Sequence, residues 1–277
     1  MKNNSQLKGI LNKKLKEVIV SYYLPESIKQ ENKMELLKEE PLSINVQGAT
    51  YSVVMRTPGE EREHAAGFCL AEGIVDNLED IVDIALCDGD DSNVAAVMLS
   101  KERACKISHL LEKKGYISQT SCGICGRELI DDLTAILKPV QNSITISLEQ
   151  VMESVNKMND IQHLRKRCYS SHAAMIIDKN YNILSISEDA GRHNALDKAI
   201  GKLFLQKRLN YAGIGIISSR ASYEMIQKCA RAGIEIVISI SRPTALACEL
   251  GERLGMTLAS VRDKGLFVFT CSDRIIL

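Results

Sequence analysis

The chain has 277 residues, of which 45% are hydrophobic and 25% charged, enough for one large domain or two compact ones with a substantial core. Thirty-five basic residues balance thirty-five acidic ones, so no global field recruits nucleic acid or an anionic membrane, and an anionic ligand needs a local cluster. No stretch reaches the roughly 18 to 20 consecutive apolar residues that cross a bilayer, and Met1 to Lys16 lacks the apolar core of a secretory signal, so the expected location is the cytoplasm.

Residues 1–40 are polar apart from a β-prone run, Val18 to Tyr23, and read as an N-terminal arm. A small α+β domain is expected over 41–118. Ile44, Val46, Tyr51, Val53 and Met55 alternate around Gln47-Gly48, which predicts a hairpin. Pro58 is expected to open a helix whose first turns carry Glu60, Glu61 and Glu63 and which ends before Gly73. Strands are predicted at Ile81–Leu86 and Val94–Leu99, joined by a turn at Asp88-Gly89-Asp90, and a helix at Glu102–Lys114 that stops at Gly115.

Residues 119–145 hold a cysteine loop, a helix over about 127–137 and a linker from Pro139 to Thr145. From 146 to 277 strands and helices alternate. Helices are predicted over 148–158, 194–208, 221–232 and 244–254. Strands are predicted at 174–177, 183–186, 213–217, 235–239, 257–261 and 266–270. That rhythm predicts a layered α/β domain.

Nine cysteines are no disulfide framework. Cys69, Cys87, Cys105, Cys229 and Cys248 fall in apolar or helical patterns and are expected to be small core residues. Cys122 and Cys125 differ: they sit three apart in Thr120-Ser121-Cys122-Gly123-Ile124-Cys125-Gly126, where glycines favour a mobile loop. Such a pair can do redox chemistry, supply half a metal site or carry sulfur as a persulfide. A four-ligand zinc site wants a second Cys pair or closely spaced His, and the chain has neither, so no resident metal is expected. The pair precedes a helix, which lowers a thiol pKa, but its flanking units do not resemble thioredoxin.

Three other segments concentrate chemistry. Ser187 to Lys198 crowds Glu188, Asp189, Arg192, His193, Asp197 and Lys198 at a strand-to-helix junction. There Gly191 permits close backbone approach, Asn194 suits a cap, and free N–H groups suit an anion. Ser218-Ser219-Arg220 sits at another such junction and suits a phosphate, although hydroxyl caps explain the serines equally well. Arg262-Asp263-Lys264-Gly265 reads as a charged hairpin turn, and His172 as either an ordinary strand histidine or a donor lining the same pocket.

Taken in order, five segments resemble the formate dehydrogenase accessory sulfurtransferase family, FdhD. They are Glu63-His64-Ala65-Ala66-Gly67-Phe68 with Ala71-Glu72-Gly73-Ile74, Ser121 to Gly126, His172-Ala173-Ala174, Glu188 to Lys198, and Ser218 to Met225. The resemblance implies a sulfurtransferase with a cysteine persulfide intermediate. Sulfur would pass from a cysteine desulfurase to the molybdenum cofactor, bis-molybdopterin guanine dinucleotide, for maturation of formate dehydrogenase. It implies Cys122 as carrier and Cys125 as its partner, with Arg127 the nearest basic neighbour in sequence. It implies cofactor contacts at Ser260, Val261, Arg262, Asp263, Lys264 and Gly265. His172, Gly191, Arg192, His193, Ser218, Ser219 and Arg220 would supply donors for the cofactor's phosphates. A homodimer and a cytidine-deaminase-like C-terminal domain without that fold's zinc ligands are also implied. The alternative is a cofactor-binding and insertion chaperone without sulfur chemistry; a dithiol oxidoreductase is a third reading. The chain departs from the family at Cys168-Tyr169-Ser170-Ser171, where a Thr-Gly-Gly-like segment is usual, and at Ser260 and Asp263.

Overall fold

Alternating apolar residues build the N-terminal strands. In the computed structural model, which describes residues 9–23, 29–87, 93–108, 137–141 and 143–276, the arm forms an antiparallel hairpin of β1 (Leu15–Tyr23) and β2 (Lys29–Leu37). β3 (Glu40–Val46) and β4 (Ala49–Arg56) form the expected second hairpin. Its turn places Gln47 at φ 51° and Gly48 at φ 81°, the paired positive φ of a two-residue hairpin loop. With β5 (Ile81–Leu86) and β6 (Val94–Leu99) they make a four-stranded sheet ordered β4-β3-β6-β5.

Helix α1 (Glu61–Ala71) starts later than Pro58 because Gly59 (φ 98°) and Glu60 (φ 66°) are left-handed, and it ends before Gly73 (φ 72°). Helix α2 (Lys101–Lys106) is capped by Ser100, whose hydroxyl accepts from the Arg103 N–H at 3.2 Å. The expected turn at 88–90, the far part of the 102–114 helix, Cys122, Cys125, Arg127 and the helix to residue 136 lie outside the described residues.

β7 (Ile146–Ser147) leads into α3 (Leu148–Ile161), closed by a capping box between Ser147 and Gln150. A short helix that the pattern did not predict, α4 (His163–Cys168), follows. Its sequence is mostly basic, and it forms where the Glu188 carboxylate accepts from the Leu164 and Arg165 N–H groups at 2.8 and 2.9 Å. The remaining elements are β8 (His172–Ile177), β9 (Ile183–Asp189), α5 (Arg192–Leu205), β10 (Ile214–Arg220), α6 (Tyr223–Arg231), β11 (Ile236–Ser241), α7 (Ala245–Leu254), β12 (Thr257–Arg262), β13 (Gly265–Thr270) and β14 (Ile275–Ile276).

Six of these strands form one sheet, ordered β13-β12-β11-β10-β8-β9, and β14 pairs with β7. β10, β11 and β12 run parallel; β8 and β13 run against them. One face carries Ala174, Ile176, Ile217, Val237 and Leu258 toward α1, α5, α6 and α7. The other carries Met175, Ile177, Ile214, Ile216, Ile236 and Ile238 toward Val151, Val155 and Met158 of α3. Covering both faces explains the nearly unbroken apolar runs in these strands. This is the layered α/β unit expected from the sequence.

The first core is shared: Leu42, Ile44 and Val97 of the small sheet join the same cluster as α5 and α6. Its tightest point is the crossing of α1 and α5. A Cβ on Gly67 would strike the Asp197 carbonyl, and one on Gly201 the Glu63 carbonyl. Neither obstacle can turn away, since both are helix backbone. Of the five cysteines expected in the core, Cys69 and Cys229 are buried and Cys248 is half-buried. Cys87 and Cys105 are exposed, because Cys87 lies just past the end of β5 and α2 turns Arg103 inward instead. The helix crossing gives a first prediction: Gly201→Ala costs about 3 kcal/mol or more, read as a large drop in melting temperature or loss of soluble protein.

Candidate functional site

A single buried carboxylate organises the start of α5. Asp189, with no exposed surface, accepts four hydrogen bonds. The Thr57 N–H donates to Oδ2 at 3.0 Å and Lys198 Nζ to the same oxygen at 2.6 Å. The Gly191 N–H and Asn194 Nδ2 donate to Oδ1 at 2.9 and 3.0 Å. Lys198 Nζ also donates to the Thr57 carbonyl at 2.7 Å, and the Ala190 N–H to Thr57 Oγ1 at 3.0 Å. Asn194 is therefore not the cap expected from sequence. It lies inside the helix and reaches back to Asp189 and to the Met55 carbonyl at 2.7 Å. Gly191 occupies the N-cap position.

Because β8 and β13 run opposite to β10–β12, one edge of the sheet gathers the carboxyl ends of β9, β10, β11 and β12 and the amino ends of β8 and β13. Open α/β sheets bind ligands at this edge. Here it divides into two neighbouring clusters.

The first cluster holds His172, Arg192, His193 and Arg220. Burial, with Arg192, Arg165 and His193 nearby, lowers the His172 pKa and keeps that ring neutral. Burial and the neighbouring Arg220 charge lower the Arg192 pKa as well. Arg192 Nε, His172 Nδ1 and His193 Nε2 are buried atoms without a hydrogen-bond partner. Buried polar atoms normally have partners, and the Arg192 Nε–H is an obligate donor that suits an incoming anion. Glu224 is the counterweight: the His193 ring beside it, aided by Ser222, holds its carboxyl down to about 2.

The second cluster lines a cleft of about 430 Å³ formed by Ile240, Ser241, Arg242, Ser260, Val261, Arg262 and Phe267. The Arg242 guanidinium lies 5.4 Å from the Phe267 ring centre, a cation–π distance. Asp263 and Lys264 form the exposed turn beyond it, with Asp263 left-handed at φ 53° and its Oδ2 3.7 Å from Arg262 Nε. Gly265 pairs with Arg262 across that turn.

The residues expected from the resemblance to contact the cofactor thus reach one edge, though not all point chemistry at it. Ser218 Oγ accepts from the Ala173 N–H at 2.8 Å, and Ser219 Oγ donates to the Arg220 carbonyl at 3.0 Å, so both hydroxyls serve the strands. Glu188 holds α4 and accepts from Ser171 Oγ at 2.9 Å. Ser241, Arg242 and Phe267 were missed. The signal for the first two was present: Ser-Arg recurs at 219–220 and 241–242, each time between a strand and a helix. Among the described residues no group of three His, Cys, Asp or Glu side chains is arranged to hold a metal ion.

The fold and edge define a layered α/β protein whose sheet edge gathers arginines and histidines. Comparison makes the assignment specific: the model of the FdhD/NarQ family matches residues 37–276, and the chain belongs to that family. Sulfur carrier protein FdhD of Mycolicibacterium paratuberculosis is 34% identical over 248 residues, covering 87% of this chain and 91% of its own. Sulfur carrier protein FdhD of Saccharolobus solfataricus is 35% identical over 244 residues, covering 86% and 89%. A solved structure described as a formate dehydrogenase accessory protein, from Desulfotalea psychrophila, superimposes with a TM-score of 0.75 over 95% of this chain and 99% of that one. At 22% identity it speaks for the fold.

Two predictions follow from the geometry. Lys198→Met leaves Asp189 buried without its cation and costs about 3–5 kcal/mol, measurable by urea denaturation. Glu224 has a folded pKa of about 2 against an ordinary 4.5, so its stabilisation is present above about pH 4.5 and disappears as the pH falls toward 2. Glu224→Gln removes that component, so the melting temperature of the variant falls less steeply across this interval than that of the wild type.

Proposed function

We propose that this chain is a sulfurtransferase that carries sulfur on Cys122 to bis-molybdopterin guanine dinucleotide for maturation of formate dehydrogenase. The Cys122 thiolate attacks the outer sulfur of a desulfurase persulfide. The donor S–S bond breaks, the donor leaves as a thiolate, and Cys122 becomes the persulfide. Family membership and the intact Cys122-Gly123-Ile124-Cys125 motif support the sulfur step. Cys125 is the partner thiol in this reading.

The observation that carries the cofactor step is the set of buried, unpartnered nitrogens on Arg192, His172 and His193 at the sheet edge. The cofactor is here the cargo. It presents several phosphates, which suit Arg192, His193 and Arg220, and a flat nucleobase, which suits the cleft lined by Ser260, Val261 and Arg262. The Gly191 turn lets backbone come near the ligand, while Asp263, Lys264 and Gly265 form the outer rim. Cysteine desulfurase as donor, formate dehydrogenase as recipient and a homodimeric assembly complete the proposal.

Intact-protein mass spectrometry after incubation with a cysteine desulfurase and cysteine tests the sulfur step. The wild type and Cys125→Ala are expected to gain one sulfur mass, and Cys122→Ala none. Arg192→Glu and Arg220→Glu are expected to load sulfur normally yet fail to retain the cofactor. Wild-type protein that gains no sulfur from an active desulfurase would turn the reading to a cofactor-insertion chaperone.

A further inference from the structure

β13 is the outermost strand of the large sheet, and Phe267, its third residue, is 47% exposed. The residue directly across from it on β12 is Ser260, which is buried. Directly paired residues share a face of a sheet, so a small hydroxyl side chain stands beside the ring and leaves room next to it. That room belongs to the cleft of about 430 Å³, which Ser241, Arg242 and Arg262 also line. An exposed aromatic ring facing polar side chains across a cleft suits a flat ligand with polar edges.

Arg242 stands on the approach to that ring, with its guanidinium 5.4 Å from the ring centre. It is the first residue after β11, and Ser241 before it pairs with Arg220 of the first cluster. β11 lies between β10 and β12, so Arg242 sits between the aromatic ring and the first cluster. Two strand spacings, roughly 10 Å, separate β10 from β12. One nucleotide can reach across them, with its base at the ring and its phosphates toward Arg220. A base that stacks on Phe267 from the cleft meets the guanidinium on the way. Base-on-ring stacking is the stronger of the two contacts, since a cation–π pair at an exposed site is weak. A guanidinium released from the ring can bind a diphosphate through two parallel hydrogen bonds.

We infer that Arg242 is a latch on the Phe267 ring: a nucleotide's base takes the ring, and the released guanidinium grips the same nucleotide's diphosphate. The inference rests on the anionic-cofactor reading and adds to it a residue that couples base recognition to phosphate binding. Bare pyrophosphate carries no base to take the ring, so the ring competes with it for Arg242. Phe267 therefore acts with opposite sign on two ligands, favouring a nucleotide and opposing a bare diphosphate. A ring that only kept β13 in place would favour both alike.

The test is calorimetric binding of guanosine diphosphate and of inorganic pyrophosphate to the full chain. The wild type is expected to bind guanosine diphosphate the more tightly. Phe267→Leu keeps an apolar side chain but no ring. It is expected to lose about tenfold in affinity for guanosine diphosphate and to gain about two- to threefold for pyrophosphate. Arg242→Ala is expected to lose about tenfold for guanosine diphosphate and, combined with Phe267→Leu, to abolish the pyrophosphate gain. Arg242→Lys is expected to restore only part of the loss, since an ammonium lacks the planar fork. Equal losses for both ligands in Phe267→Leu would overturn the inference, because the ring would then be structural. Unchanged guanosine diphosphate affinity in Arg242→Ala would overturn it as well. A wild type that binds guanosine diphosphate no more tightly than pyrophosphate would overturn it while sparing the first cluster as an anion site. A wild type that binds neither would overturn the cofactor reading and this inference together.

Discussion

The structure depends most on the four hydrogen bonds that converge on the buried Asp189 carboxylate. One donor, the Gly191 N–H, comes from the turn into α5, two come from α5 itself, and one from Thr57, in the segment between β4 and α1. One group therefore sets the direction of α5, the entry to α1 and the join between the two sheets. A buried ion pair gains little net stability against an apolar substitute, but it tolerates only one arrangement of its partners. That specificity is needed where two helices touch at paired glycines, since a slight shift of α5 would drive backbone into backbone.

The geometry this fixes has an electrostatic consequence. Parallel strands β10, β11 and β12 all end on the same edge, and they end in Arg220, Ser241-Arg242 and Arg262. With Arg192 and Arg165 added, the edge holds like charges at close quarters in a chain of zero formal net charge. Burial first, and the neighbouring positive groups second, lower the pKa of both His172 and Arg192. The opposite face of the same helices shows the contrary arrangement, in which Asp197–Lys228 and Asp189–Lys198 are matched one to one. Matched pairs hold the core, and among the described residues arginines gather at the rim.

Much of this was legible in the sequence, for identifiable reasons. Strands such as Ile81–Leu86 and Val94–Leu99 appeared at their observed limits because alternation and a polar turn bounded them. α4 was invisible, since His163 to Cys168 has no apolar periodicity and owes its first turn to Glu188, 24 residues after Leu164. Asn194 looked like a cap because that residue type usually is one. Its actual partner, Met55, lies 139 positions away. Cys87 and Cys105 resembled core residues because local pattern does not reveal which side of a short helix or strand end is covered. The site residues were found as types but not as roles: a motif reports which side chains gather, while a fold decides which turn outward.

Helix geometry makes that last division explicit in the segment from Gly191 to Lys198. Arg192 and His193 lie in the first turn, at the rim, with buried nitrogens that lack partners. Asn194 and Lys198 are four apart, so they share a side, and both reach Asp189. Asp197 lies on the buried side as well, paired to Lys228 on α6. A compact motif thus joins two jobs that sequence alone cannot separate. The buried side anchors α5 to the rest of the molecule, and the first turn places its charge at the rim. The same anchoring makes the rim precise: because Asp189 holds the Gly191 N–H and Asn194 together, the residues between them, Arg192 and His193, have little freedom of placement.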